Sequence, residues 1–482
     1  MTAKSAAAAA RATVYGYPRQ GQNRELKKAI EGYWKGRVTA DALHATAAEL
    51  RRSNWQQLAE AGIHEVPTGD FSYYDHVLDT TVMVGAIPDR HRAAVDADAT
   101  DGYFAMARGT QEVAPLEMTK WFDTNYHYLV PELGPDTVFT ADPAKQVSEL
   151  KEALSQGLTA RPVLVGPVTY LLLAKPAPGV AADFEPLTLL DRLLPVYAEL
   201  LADLRAAGAE WVQLDEAALV QDRTPAELNA ATRAYRDLGA LTDRPKLLVA
   251  SYFDRIGDAL PVLAKAPVEG LALDFTEAAA ANLDALAAVG GLPGKRLVAG
   301  VVNGRNIWIN DLHKSLSTLG TLLGLADRVD VAASCSLLHV PLDAAAEKDI
   351  DPQILRWLAF AKRRPARSSP SPGASPRAPT RSRRNWPPTA PTWPPGRVHR
   401  SPTTLPSAHG RRRSPRTTAA DPTRTGGVPP PNAPICSCRC YPRPPSARSR
   451  RPANCAPPVP TCVPGGSTRP AMRSASGRRS AK

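Results

Sequence analysis

Residues Thr188–Leu219 read TLLDRLLPVYAELLADLRAAGAEWVQLDEAAL, and the pattern changes once inside them. Up to Gly208 the stretch is helical, and glycine is the residue that commonly closes a helix. From Trp211 the chain is almost continuously apolar, as strands covered on both faces of a parallel sheet are. A helix that stops at a glycine and feeds a buried strand is one half of a strand–helix repeat.

The same half-unit recurs on both sides. Upstream lie TVYGYP from Thr13, EVPTGDF from Glu65 and RPVLVGPVTY from Arg161. Downstream lie KLLVASYF from Lys246, GLALDF from Gly270, KRLVAGVVNG from Lys295 and VDVAASCSLLHV from Val329. With WVQLDEAAL these make eight strands. The segments between them read as helices. NRELKKAIEGYW has Asn23 as an N-cap and Leu26, Ile30 and Trp34 on one face. A second helix runs from Thr39 to Gly62. Eight alternating units predict an α/β fold, a (β/α)8 TIM barrel, with a doubly wound open sheet as the alternative. No G-x-G-x-x-G follows the first strand, which argues against dinucleotide binding. Polar residues collect just after the strands: Asp70, Asp75, His76, Asp215, Glu216, Asp254, Asp274, Asn303, Arg305, Asn306, Ser334, Ser336 and His339. In a barrel these positions share one face.

Composition divides the chain at Lys362. Residues 363–482 carry 23 Arg and one Lys against Asp421 alone, a net +23, so the remainder is 12 − 23 = −11. The tail also holds 27 of the 47 prolines, with few large apolar residues. It is expected to be disordered, because it cannot bury enough surface to offset its ordering entropy. The acidic body gives no reason to expect a nucleic-acid partner. Five of the six cysteines lie in the tail, leaving Cys335, read as a small buried apolar residue. That usage, with no signal-like h-region and no long apolar run, predicts a cytoplasmic protein without disulfides or membrane partner. The CSCRC of the tail lacks the Cys-x2-Cys spacing of zinc knuckles.

Seven stretches resemble one family in order: YGYPRQGQNRELKKAIEGYWKG, PTGDFSYYDHVLDTT, EMTKWFDTNYHYLVPE, GPVTYLLLAK, WVQLDEAALV, GVVNGRNIW and ASCSLLHVPLD. Together they are similar to the N-terminal barrel of cobalamin-independent methionine synthase. One departure is Ala217, where the family has Pro. The resemblance implies two face-to-face barrels in an intact member. It implies methyl transfer from 5-methyltetrahydropteroyl-polyglutamate to homocysteine, with zinc held by His, Cys, Glu and Cys of the second barrel. It places the folate polyglutamate on Arg24, Glu25, Leu26 and Lys27 of RELK and on Lys120 of EMTKWF.

The expected layout is then a flexible Ala-rich start over 1–12, the barrel over 13–362 and the tail over 363–482. The match stops at Lys362, and the tail favours residues with GC-rich codons, so it reads as frameshifted. No catalytic residue and no metal ligand are expected within this chain, so no bound zinc and no turnover alone. The chain is expected to be monomeric. The rival readings are a non-catalytic folate-binding module and nucleic-acid binding through the basic tail.

Overall fold

The computed structural model describes residues 10–365. Residues 1–9 and 366–482, on which most of the start and tail expected to be flexible and disordered fall, lie outside the described residues. The packed body continues past Lys362. Arg364 is buried, with its guanidinium donating to the carbonyls of Ala359 and Asn306.

Eight strands close into one parallel barrel: β1 (Ala12–Thr13), β2 (Ile63–Thr68), β3 (Ala160–Val165), β4 (Trp211–Asp215), β5 (Lys246–Ala250), β6 (Gly270–Asp274), β7 (Leu292–Val302) and β8 (Ala326–Ala333). Closure comes through β1, which pairs Ala12 with Ile63 on one side and with Val331 on the other. The open-sheet alternative is therefore excluded. Each apolar run of the sequence holds one strand. In RPVLVGPVTY the strand ends at Val165 and a helix, Pro167–Leu173, begins after Gly166.

Charges inside these apolar runs pair with one another in the barrel interior. Arg161, fully buried, donates to Glu65 at 2.6 Å, Thr13 Oγ1 at 2.8 Å and Gln213 Oε1 at 3.0 Å. Arg296 bridges Glu65 at 3.0 Å and Asp330 at 2.6 Å, with its guanidinium 4.9 Å from the centre of the Trp211 ring. Burying ions costs several kcal/mol each unless they are paired and hydrogen-bonded. Here every charge has a partner. The cluster lies level with the first residues of β4 and β6, near the N-terminal end of the barrel, which leaves the opposite end for a site.

The chain between β2 and β3 makes a long excursion over that opposite end. It contains helix His76–Met83 and an antiparallel hairpin, Met118–Lys120 with His127–Leu129. Asp75 joins the two: its carboxylate caps the helix through Val77 and Leu78 N–H at 2.8 Å and also accepts from Leu129 N–H at 3.1 Å.

Two helices lie between β1 and β2. The first, α1 (Glu25–Trp34), buries Leu26, Ala29 and Ile30. The second, α2 (Ala40–Glu60), lies within the predicted Thr39–Gly62 helix, and Thr39 caps it by accepting from Ala42 N–H. The cap of α1 differs from the expectation. Arg24, not Asn23, is the N-cap residue, in the left-handed conformation at φ 60°. Asn23 instead donates its backbone N–H and its side-chain amide to the Glu25 carboxylate, both at 3.0 Å. A carboxylate available two residues on turns the asparagine away from the helix.

Candidate substrate-binding face

The strand-end polar residues gather at the C-terminal mouth, but their roles differ. Glu216 is structural. It accepts from Val168 and Thr169 N–H and from the Tyr235 hydroxyl, so it caps helix Pro167–Leu173. Gly166 permits this, since a Cβ there would collide with the Glu216 carboxylate. Asp215 faces the mouth, held by Gln213 Nε2 at 2.6 Å and by the Tyr252 hydroxyl at 2.9 Å. Asp70 accepts from Tyr17 N–H at 2.9 Å. Burial pushes Asp215 up to about 7 and Asp70 up to about 6. Asp274, bonded by Thr276, is pushed by burial to about 6.

Asp75 and His76 do not form an acid–base pair. Asp75 is spent on the helix cap, and the His76 ring stacks on Tyr126 and meets the edge of Trp121. Burial lowers His76 to about 3 and His339 to about 4, so both are neutral near pH 7. His127 is exposed, with its ring bonded to the Asn125 carbonyl.

The hairpin covers the mouth through Trp121, Phe122 and Tyr126. A cavity of about 40 Å³ remains beneath it, and one of about 320 Å³ opens beside it, lined by Asp123, Tyr126, Arg305 and His339. Three non-glycine residues among those described have positive φ: Arg24, Phe122 and Phe253. Phe122 and Phe253 touch at the mouth, 5.9 Å between ring centres. Such strain costs on the order of 1–3 kcal/mol and clusters at functional sites.

The residues assigned from the RELK and EMTKWF motifs are placed as follows. Arg24 and Lys27 are exposed on α1, Lys27 paired with Glu31 at 3.3 Å. Glu25 is half-buried; the Asn23 donors and Lys28 hold its carboxyl below the usual range although burial opposes them. Leu26 is wholly in the core. Lys120 is exposed at the end of the hairpin strand, next to Trp121 of the mouth. Nearby, Arg19 donates to the Tyr74 carbonyl and lies over the Tyr126 ring of the hairpin. Among the described residues, no hydrogen bond or ion pair joins Lys120 to Arg24 or Lys27. Of the five, three are exposed cations, one is a carboxylate bonded to Asn23 and one is core.

The donors present do not fit a zinc ion. Cys335 is buried beside Asp274, and burial holds its thiol protonated. Among the described residues, no three His, Cys, Asp or Glu side chains assemble as metal ligands. No helix among them is long and apolar enough to cross a membrane.

The closed ring of eight parallel strands with surrounding helices is an α/β barrel of the TIM class. The chain belongs to the family described as cobalamin-independent synthase, N-terminal domain, which matches residues 11–327. A relative from Streptomyces avermitilis, named 5-methyltetrahydropteroyltriglutamate–homocysteine methyltransferase, is 88% identical over 366 residues, 76% of this chain and 47% of the relative. A relative of the same name from Rhodococcus jostii is 56% identical over 349 residues, 72% of this chain and 45% of the relative. The chain thus spans about half the length of the curated relatives it matches. A solved B12-independent methionine synthase from Shewanella sp. W3-18-1, in complex with selenomethionine, is 16% identical, with TM-score 0.48, covering 69% of this chain and 89% of that one.

Proposed function

We propose that this barrel holds the glutamate tail of a 5-methyltetrahydropteroyl-polyglutamate, as the N-terminal half of a homocysteine methyltransferase does. The observation that carries the reading is the 88% identity to a relative so named. The site chemistry supports it. Arg24, Lys27 and Lys120 are exposed cations suited to a flexible chain of carboxylates, and Arg24 is presented by a strained backbone. Glu25 accepts from Asn23 just ahead of α1 and Leu26 anchors the helix in the core, so these two position Arg24 and Lys27. Zinc and homocysteine chemistry is assigned to the part of the relatives outside the match, and this chain alone is expected to form no methionine. The same reading makes 363–482 an out-of-frame stretch. One inserted or deleted base near codon 362 would then restore a second barrel in the gene; an intact frame with selected codons contradicts that point.

Titration of the purified chain with a triglutamate folate tests the tail site. Exposed charge contacts contribute about 0.2–1 kcal/mol each, so Lys120→Ala should weaken binding by a factor of about 1.5–5. Unchanged affinity in both Lys120→Ala and Arg24→Ala would remove the site from this surface.

A further inference from the structure

We propose that the barrel mouth is a binding site for a water-sized monocation, ammonium or potassium, independent of the folate-tail site. The cavity of about 40 Å³ is too small for a pterin. It has room for a small ion with one or two waters, given that about 10–15 Å³ suffices for one water.

The walls select for positive charge. Asp70 and Asp215 both line the cavity, and neither has an ion-pair partner among the described residues. The nearest cations are committed elsewhere. Lys145 pairs with Asp79 at 3.4 Å and Glu149 at 3.1 Å, and Arg161 with Glu65. The two imidazoles at the mouth, His76 and His339, are kept neutral by burial and add no positive charge. Buried negative charge is costly, and burial displaces both carboxyls upward even though Lys145 opposes the shift at Asp70 and Arg161 at Asp215.

Two further oxygens are orphaned. Tyr15 Oη and Gln146 Oε1 have no hydrogen-bond partner, although their residues are only 1% and 4% exposed and both line this cavity. An unpaired buried polar atom is costly, and a cation bound by a lone pair of each oxygen would satisfy both. Tyr252 and Trp121 supply aromatic walls, which attract a small cation. Of the three aspartates lining the cavity, Asp79 is tied to Lys145, and calcium and magnesium take six or more oxygen ligands, so Asp70 and Asp215 with the two orphaned oxygens fit a monocation better.

Two measurements on the full chain test this. In crystals soaked with thallium(I), a stand-in for both ions, an anomalous peak is expected in the cavity within contact of Asp70 and Asp215. Ordered water alone there overturns the proposal. In solution, the melting temperature is followed in ammonium, potassium and choline chloride at constant ionic strength. A saturable rise is expected with the first two and none with choline, which is too large to enter. Asp215→Asn and Gln146→Leu should each abolish that rise, the second guarding against a folding defect in the first, while Asp136→Asn on the surface should not. An equal rise with choline, or a rise retained in both cavity variants, overturns it. A rise with ammonium only, or with potassium only, identifies the ion and supports the site.

Discussion

Asp215 shows most clearly how the mouth departs from solvent-like chemistry. Its carboxyl ionises at about 7 when folded, against about 3.9 in an unfolded chain. The folded state therefore keeps its proton longer. The stability from this group is present at low pH and is lost as pH rises from about 4 through about 7. His76 and His339 act in the opposite sense: their lowered values make folding less favourable as pH falls below about 6.5. Asp215→Asn removes only the first effect. Its melting temperature relative to the parent should rise between about pH 5 and about pH 8. A difference independent of pH over that range would show that Asp215 does not titrate there.

At the scale of elements, the start of α1 is the informative place. Arg24 holds a left-handed conformation that costs an L-residue roughly 1–2 kcal/mol and a glycine little. Arg24→Gly should therefore leave stability unchanged or raise it by about 1 kcal/mol in thermal or denaturant unfolding. The same variant should bind triglutamate folate more weakly. Lower stability together with normal binding would make Arg24 a structural residue only.

This helix start also marks where the sequence stops being legible. The span of α2 was readable between Thr39 and Gly62, whereas nothing in QNRELK shows that Arg24, a non-glycine, turns left-handed. The eight strands were readable from continuous apolar runs, since each is buried on both faces. The hairpin Met118–Lys120/His127–Leu129 was not, because its first strand is largely exposed and carries no alternation. The ion cluster inside the barrel left a trace in the charges within EVPTGDF, RPVLVG and KRLVAG. Its pairing could not be read, because Glu65 meets Arg161 across 96 residues and Arg296 across 231. Arg24, Lys27 and Lys120 are exposed cations, while the cavity beneath the hairpin depends on contacts that only closure of the barrel creates.

At the scale of the whole barrel, the two ends differ in chemistry. Paired charges fill the N-terminal end of the barrel and hold it together, while the C-terminal end carries the aromatic roof, the small acidic cavity and, on α1 and the hairpin, the exposed cations. The measurement that tests the central claim most directly is a calorimetric titration of the purified chain with mono- and triglutamate folates at low and high salt. If the barrel reads the tail, affinity rises with glutamate number and the advantage shrinks as salt screens the contacts. Because ordering a flexible tail opposes binding, the affinity itself should be weak. Equal affinity for the two ligands, unchanged by salt, would contradict the account.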